Sequence, residues 1–197
     1  HGMADSVQEL LDQEQERVPP ETADTAIFYS ISNAQRGLDG ISFGDFLIKR
    51  VVGSLSDEFS NLKTFATLSP MPGFSRWYER EIEKLGDTIL LADEQEALAA
   101  VLPDGTDVEA MLRQVLVRAD WAANEPLSEA LKPIMPRLAA TYLYTVKRSG
   151  TRAMDPVAHF HLSNGARMER LNWLADSSPR GMQQSAGMMI NYLYKLD

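Results

Sequence analysis

One serine and one pair of histidines are the residues of this chain best suited to acid–base chemistry. Ser69 follows a strand-like run, and Pro70, Pro72 and Gly73 then turn the chain. A hydroxyl is thereby presented at the end of a strand, where α/β enzymes tend to bind ligands. Taken alone, a serine before a proline is more often a turn residue, so that alternative stays open at this point.

The histidine pair, His159 and His161, follows an Asp-Pro dipeptide. Imidazole titrates near neutrality and suits the delivery of one proton. Side chains two residues apart point to roughly opposite faces of a helix but to the same face of a strand. The segment 156–163 fits a short helix, so only one of the two histidines can face Ser69. A purely structural histidine is the competing interpretation.

A glycine-containing loop between a predicted strand and a predicted helix is the third candidate. It comprises Asp39, Gly40, Ile41, Ser42, Phe43, Gly44 and Asp45. Free N–H groups at a helix start can bind phosphate, and glycine permits close backbone approach. Arg36, Lys49 and Arg50 could offset the two carboxylates beside such an anion, or could equally belong to a solvated helix face. Taken alone, such a loop is more often a mere turn.

The composition of the chain limits the size, the class and the chemistry of the protein. The chain has 197 residues, 44% hydrophobic and 24% charged, which fits one sizeable soluble domain. The absence of cysteine excludes disulfides and thiolate chemistry. A formal net charge of −9 argues against a general nucleic-acid binder. No apolar run approaches the roughly 20 residues of a membrane span, and no signal-peptide pattern opens the chain. The lack of cysteine fits an intracellular setting. We expect a cytoplasmic protein without a membrane partner, and an organelle address stays open.

Hydrophobic periodicity predicts an α/β chain. A strand over 25–31, a helix over about 42–55 and a strand over 62–68 make a βαβ unit. The last part of the chain fits the short helix at 156–163, a strand over 167–175, a helix over 181–190 and a strand over 190–195. Met182, Met188 and Met189 are expected to be core residues.

The middle of the chain, about 74–150, is predicted to be helical and looks like an insertion between catalytic halves. Four helices are predicted there: 74–85, 93–102 with Asp93 as cap, 107–120 with Thr106 and Glu109 as a capping box, and one from Pro133 and Pro136 to Arg148. A further helix, 5–17, is predicted near the start of the chain.

Several stretches, read in order, resemble the malonyl-CoA decarboxylase family. They are Phe28-Tyr29-Ser30-Ile31-Ser32, Gln35-Arg36-Gly37-Leu38, Phe46-Leu47-Ile48-Lys49-Arg50-Val51-Val52, Leu68-Ser69-Pro70-Met71-Pro72-Gly73-Phe74, Phe160-His161-Leu162-Ser163-Asn164-Gly165-Ala166, Asn172-Trp173-Leu174-Ala175-Asp176 and Asn191-Tyr192-Leu193-Tyr194. The resemblance implies a GNAT-like acyl-CoA fold with a mixed central sheet flanked by helices. It also implies an upstream helical domain that this chain lacks, so we expect residues 1–197 to be the C-terminal part of the catalytic domain. Homo-oligomerisation through the missing domain is expected.

The resemblance also assigns roles. It implies decarboxylation of malonyl-CoA to acetyl-CoA and CO₂, with His161 as proton donor and Ser69 either holding the malonyl carboxylate or accepting a proton. It places coenzyme A at the loop 39–45, although only Gly44 matches the usual glycine pattern, and leaves His159 peripheral. No metal, biotin or pyridoxal cofactor is expected, because the thioester itself accepts the electron pair that CO₂ leaves behind.

Two other functions stay open on the sequence. A GNAT-type acyltransferase would use the same coenzyme A loop but would need an amine or carrier acceptor. A non-catalytic coenzyme A-sensing or assembly module would use the helical block 74–150 as a partner surface.

Overall fold

The computed structural model describes residues 2–12, 14, 19–29, 44–115 and 120–195, with the side chains of 44–47 outside that description. Within these residues, a mixed sheet has the strand order β1-β2-β6-β5. Its strands are β1 (Thr25–Tyr29), β2 (Thr64–Pro70), β5 (Arg167–Asn172) and β6 (Met189–Tyr194), and a separate hairpin pairs β3 (Lys147–Ser149) with β4 (Arg152–Ala153). The predicted α/β class is confirmed, whereas the GNAT-like assignment stays a prediction.

The pairing of the strands determines which side chains meet. β1 runs parallel to β2 with a helix between them, as the βαβ prediction requires, and β6 runs antiparallel to both β2 and β5. Phe65 lies opposite Tyr194, and Ser69 lies opposite Ile190. Because side chains alternate along a strand, Ser69 shares one face of the sheet with Tyr194.

Helices cover both the middle of the chain and the ends of the strands. They are α1 (Val7–Leu11), α2 (Gly44–Glu58), α3 (Phe74–Leu85), α4 (Ala92–Ala99), α5 (Val108–Gln114), α6 (Glu125–Thr145), α7 (Pro156–Ser163) and α8 (Pro179–Ser185). The bounds predicted for α3 and α7 are confirmed, and α2 lies two to three residues further along than predicted. No helix in the described segments is long and apolar enough to cross a bilayer.

The longest helix, α6, begins eight residues before the predicted start. Its cap is Asn124, whose side chain accepts from the N–H of Leu127, and both Pro133 and Pro136 lie inside it. Eight buried side chains along α6 compensate for the missing N–H groups of the prolines. The helix ends at Thr145, because the next residues pair in the β3–β4 hairpin around the left-handed Gly150.

Two predicted caps are wrong. Asp107, not Thr106, caps α5, because its carboxylate accepts from the N–H of Ala110 while the hydroxyl of Thr106 donates to the carbonyl of Pro103. α4 begins after Leu91, whose N–H donates to Glu94, so Asp93 lies inside the helix. Helix α4 also ends three residues earlier than predicted, and α5 ends at Gln114, while residues 116–119 of its predicted range lie outside the described residues.

Other bounds also differ from the predictions. β2 extends to Pro70, which pairs with Met189, so Ser69 lies inside the strand and not after it. β5 stops at Asn172 because Leu174 has a positive φ of 49°, and α8 ends before the left-handed Ala186. α1 has five residues, and part of its predicted range lies outside the described residues. The three methionines predicted for the core, Met182, Met188 and Met189, are all buried.

Candidate active site

Ser69 and His161, 92 residues apart in sequence, form a buried hydrogen-bonded pair. The distance between Ser69 Oγ and His161 Nε2 is 3.1 Å. The exposed fractions of the two residues are 4% and 2%. The serine comes from the carboxyl end of β2, an inner strand, and the histidine comes from α7. The pair therefore depends on how α7 packs against the sheet.

The local sequence explains why α7 presents His161 inward. Asp155 caps the helix by accepting from the N–H groups of Val157 and Ala158, and Pro156 occupies the first turn, where no N–H partner is needed. His161 then faces the sheet, while His159 is half-buried and contacts Ser163 at 3.3 Å. As expected for a helix, only one of the two histidines faces Ser69.

The hydroxyl of Ser69 is part of a short chain of donors and acceptors. It donates to Thr67 Oγ1 at 2.8 Å, and Thr67 Oγ1 also accepts from the backbone N–H of Tyr192. A hydroxyl has one proton to donate. In the arrangement in which Ser69 donates to Thr67, the contact with His161 assigns the proton to Nε2, which then donates to Ser69.

The other ring nitrogen of His161 contacts a tyrosine. The distance between His161 Nδ1 and the hydroxyl of Tyr194 is 2.8 Å, and the ring of Tyr192 stacks on the imidazole with centroids 4.5 Å apart. With Nε2 protonated, Nδ1 is the acceptor and the Tyr194 hydroxyl is the donor. Sequence reasoning assigned no role to either tyrosine, although their alternation along one strand signals a shared face.

Burial sets the charge of the imidazole. It lowers the pKa of His161 to about 4, because the apolar surroundings disfavour the imidazolium. At pH 7 the neutral form therefore dominates by about a thousandfold. The site at neutral pH is a neutral imidazole held between two hydroxyl groups.

The carboxylate of Asp155 connects the turn after Ser69 with helix α7, which carries His161. One carboxylate oxygen caps α7, and the other accepts from the N–H of Gly73 at 3.2 Å and from the hydroxyl of Tyr142 at 3.1 Å. Burial raises the pKa of Asp155, although its hydrogen bonds oppose that effect. The carboxylate thus ties the turn after Ser69 to the helix that carries His161.

A cleft of about 610 Å³ gives access to the pair. Leu68, Pro72 and Met189 form part of its apolar wall, and α1 contributes Val7 and Leu11. Among its described lining residues, the charged ones are Asp176 and Arg180. Arg180 is exposed and makes no ion pair with another described residue, which leaves its guanidinium accessible to an anionic ligand.

Most of the predicted coenzyme A loop lies outside the described residues. This applies to Asp39, Gly40, Ile41, Ser42 and Phe43, and also to the candidate cation Arg36. Gly44 and Asp45 open α2, and the other two candidate cations, Lys49 and Arg50, are exposed on that helix. The role of this loop stays a prediction.

Comparison with known proteins gives one consistent result. The family model described as the malonyl-CoA decarboxylase C-terminal domain matches residues 1–197. The mitochondrial malonyl-CoA decarboxylases of Anser anser anser and Rattus norvegicus are 43% and 45% identical over 178 and 177 residues, which are 88% and 87% of this chain. The chain spans only about a third, 35%, of each of these relatives.

Solved structures agree. The malonyl-CoA decarboxylase of Rhodopseudomonas palustris has a TM-score of 0.82 at 45% identity, covering 98% of this chain and 41% of its own. That of Agrobacterium vitis has a TM-score of 0.80 at 41% identity, covering 100% of this chain and 45% of its own. The chain therefore belongs to the malonyl-CoA decarboxylase family, as its sequence resemblance predicted.

Proposed function

We propose that the full protein carrying this chain converts malonyl-CoA to acetyl-CoA and CO₂, with Ser69 and His161 at the reacting group. The observation that carries the proposal is the buried Ser69–His161 pair at 3.1 Å beside an accessible cleft. Family membership supplies the substrate class, and the geometry supplies parts that suit the reaction.

The reaction has modest requirements. The bond between the α-carbon and the carboxylate breaks, and the electron pair delocalises onto the thioester oxygen as CO₂ leaves. The protein must orient the carboxylate, stabilise the enolate and deliver one proton to carbon. No metal, biotin or pyridoxal group is needed for this sequence of steps.

Ser69 is assigned to orienting the malonyl carboxylate. A cation at that carboxylate would stabilise the charged ground state more than a transition state in which the charge is leaving it, which would raise the barrier. A neutral hydroxyl donor avoids this penalty, and Ser69 becomes that donor when its O–H turns from Thr67 to the bound carboxylate. The Nε2–H tautomer of His161 also argues against Ser69 as an acylated nucleophile, because such a serine needs an imidazole that accepts its proton.

His161 is assigned to proton delivery. Its Nε2–H faces Ser69 at the end of the cleft, so a malonyl group bound to the serine would lie beside the proton that the enolate needs. A neutral imidazole can serve as the acid toward a strongly basic carbon.

The other expectations stay predictions. The loop 39–45 is assigned to the phosphates of coenzyme A, and homo-oligomerisation to the domain upstream. A cytoplasmic location is also a prediction, and the goose and rat relatives are named as mitochondrial proteins.

The test uses the full-length protein with malonyl-CoA and no added acceptor, following acetyl-CoA and CO₂. We expect H161Q to lower kcat by about 10²–10⁴, the range typical of general acid–base groups. H159Q is the matched control, since His159 lies on the same helix but faces away from Ser69, and it should retain activity. Binding of coenzyme A by both variants shows that the fold is intact.

Three results would contradict the proposal. Full activity of H161Q would remove the role assigned to His161. A wild-type protein that binds coenzyme A without turnover would be a sensing module. Turnover that requires an amine acceptor would identify an acyltransferase.

A further inference from the structure

Proton delivery by a neutral imidazole leaves a charge that the site must accommodate. If Nε2 gives its proton to carbon and nothing else moves, His161 becomes an imidazolate inside an apolar environment. Burying such an unpaired anion is costly. The family resemblance and the Ser69–His161 pair do not explain how that cost is avoided.

Tyr194 is placed to avoid it. Its hydroxyl lies 2.8 Å from Nδ1, the ring nitrogen that faces away from Ser69, and it is the donor in the arrangement in which Ser69 donates to Thr67. The position is enforced by the fold, because Tyr194 lies opposite Phe65 in the β2–β6 pairing, on the face of the sheet that α7 covers. The tyrosine ring also contacts the imidazole edge-on, with centroids 6.1 Å apart.

We propose that Tyr194 acts as a positioning residue and proton reservoir for His161 during malonyl-CoA decarboxylation. As the Nε2–H bond breaks and a C–H bond forms at the enolate, the O–H proton of Tyr194 passes to Nδ1. His161 therefore stays neutral, in its other tautomer, and the negative charge passes to the phenolate. This inference rests on the proposed function.

The cycle balances after the product leaves. Water entering the open cleft gives a proton to Nε2, and Nδ1 returns its proton to the phenolate of Tyr194. The net uptake is one proton per turnover, which is what conversion of a malonyl carboxylate to a methyl group and CO₂ consumes.

The surroundings of Tyr194 suit a transient phenolate. The residue borders a second cleft, of about 670 Å³, which admits water and is also lined by Asp24, Lys63, Glu169 and Lys195. Among the described lining residues, two cations and two carboxylates make that cleft electrically balanced, so it does not oppose a negative charge on Tyr194.

On the His161 side, the polar groups of described residues near the imidazole include Thr67 and Ser69 on β2 and Tyr192 on β6, and Asp155 caps the helix that carries it. Asp155 is the charged group among these, and it accepts four hydrogen bonds of its own.

The experiment first establishes turnover by the wild-type full-length protein and then compares Y194F. We expect kcat to fall by about 10–100-fold with little change in KM, because the phenol acts after the substrate is bound. The control is Y144F, a tyrosine of α6 that is 80% exposed, which should match wild type.

A second readout separates proton delivery from mere packing. With slow protonation the enolate persists and can recapture CO₂, so ¹³CO₂ supplied in the buffer should enter the remaining malonyl-CoA in Y194F more than in wild type. A lower kcat without label uptake would overturn the reservoir role, as would an unchanged kcat. Absence of wild-type turnover would instead overturn the proposed function.

If Y194F fails to fold, 3-fluorotyrosine in place of Tyr194 keeps the size and the hydroxyl but makes the phenol more acidic. The alkaline limb of the kcat–pH profile should then move to lower pH. An unmoved limb would overturn the inference.

Discussion

The turn that follows Ser69 offers a sharp test of how the site is held together. At Gly73 the backbone has φ −94° and ψ −8°, values open to any residue, so alanine there carries no conformational penalty. A Cβ at this position would nevertheless collide with the hydroxyl of Tyr142 and lie 3.2 Å from its Cζ. The obstacle to G73A is therefore one hydroxyl group.

That hydroxyl donates to the buried carboxylate of Asp155 at 3.1 Å. A hydrogen bond to a charged group contributes about 1.5–3 kcal/mol, so we expect Y142F alone to lower the free energy of unfolding by that amount. G73A in the wild-type background displaces the same hydroxyl and should cost about 2 kcal/mol or more. In the Y142F background the hydroxyl is already gone, and the remaining tight contact should cost less than about 1 kcal/mol.

Urea unfolding of the four proteins measures this as a double-mutant cycle, with an expected coupling of about 1.5 kcal/mol. G53A is the matched control, because a Cβ at Gly53 meets nothing within 4 Å and should not couple to Y142F. If the effects of G73A and Y142F on the free energy of unfolding add to within about 0.5 kcal/mol, the contact between the turn at Gly73 and Tyr142 of α6 does not contribute as described.

Two further predictions concern charge. Since burial lowers the pKa of His161 from 6.5 to about 4, the unfolded state binds more protons between these values. As the pH decreases through that window, the free energy of unfolding should fall by about 1–3 kcal/mol more in wild type than in H161Q. The raised pKa of Asp155 changes stability in the opposite direction, but it does so in both proteins and leaves the difference between them unchanged. If the free energy of unfolding has the same pH dependence in wild type and H161Q, the lowered pKa of His161 is contradicted. R180Q should raise KM for malonyl-CoA about 3–10-fold in low salt with a smaller change in kcat, whereas R148Q, outside the cleft, should not. A KM unchanged by R180Q would exclude this cation from substrate binding.

The sequence predicts the parts of the site that depend on short segments. Ser69 is found from the strand and turn around it, and His161 from the helix that Asp155 and Pro156 begin. The distance of 3.1 Å between Ser69 Oγ and His161 Nε2 agrees with the prediction that the two side chains face each other. Thr67 was within reach of the same reasoning, since residues two apart on a strand share a face.

The remaining site residues depend on tertiary register, which no local pattern contains. Tyr194 reaches His161 only because β6 pairs with β2 so that Phe65 lies opposite Tyr194. Tyr142 reaches Asp155 only because α6 starts at Glu125 and continues through two prolines, where propensity predicts a later start. In α6, the packing of buried apolar side chains overrides the local preference.

The position of Tyr142 bears on the helical block between β2 and α7. Tyr142 lies near the end of α6, its ring packs against Phe74 and Trp77 with centroids 5.9 and 5.5 Å apart, and its hydroxyl meets Asp155. The block therefore supports the carboxylate that joins the two halves of the site. Removing the block would leave that carboxylate without one of its partners and the turn after Ser69 without its packing. A change in the block should therefore alter kcat through Asp155 and this turn.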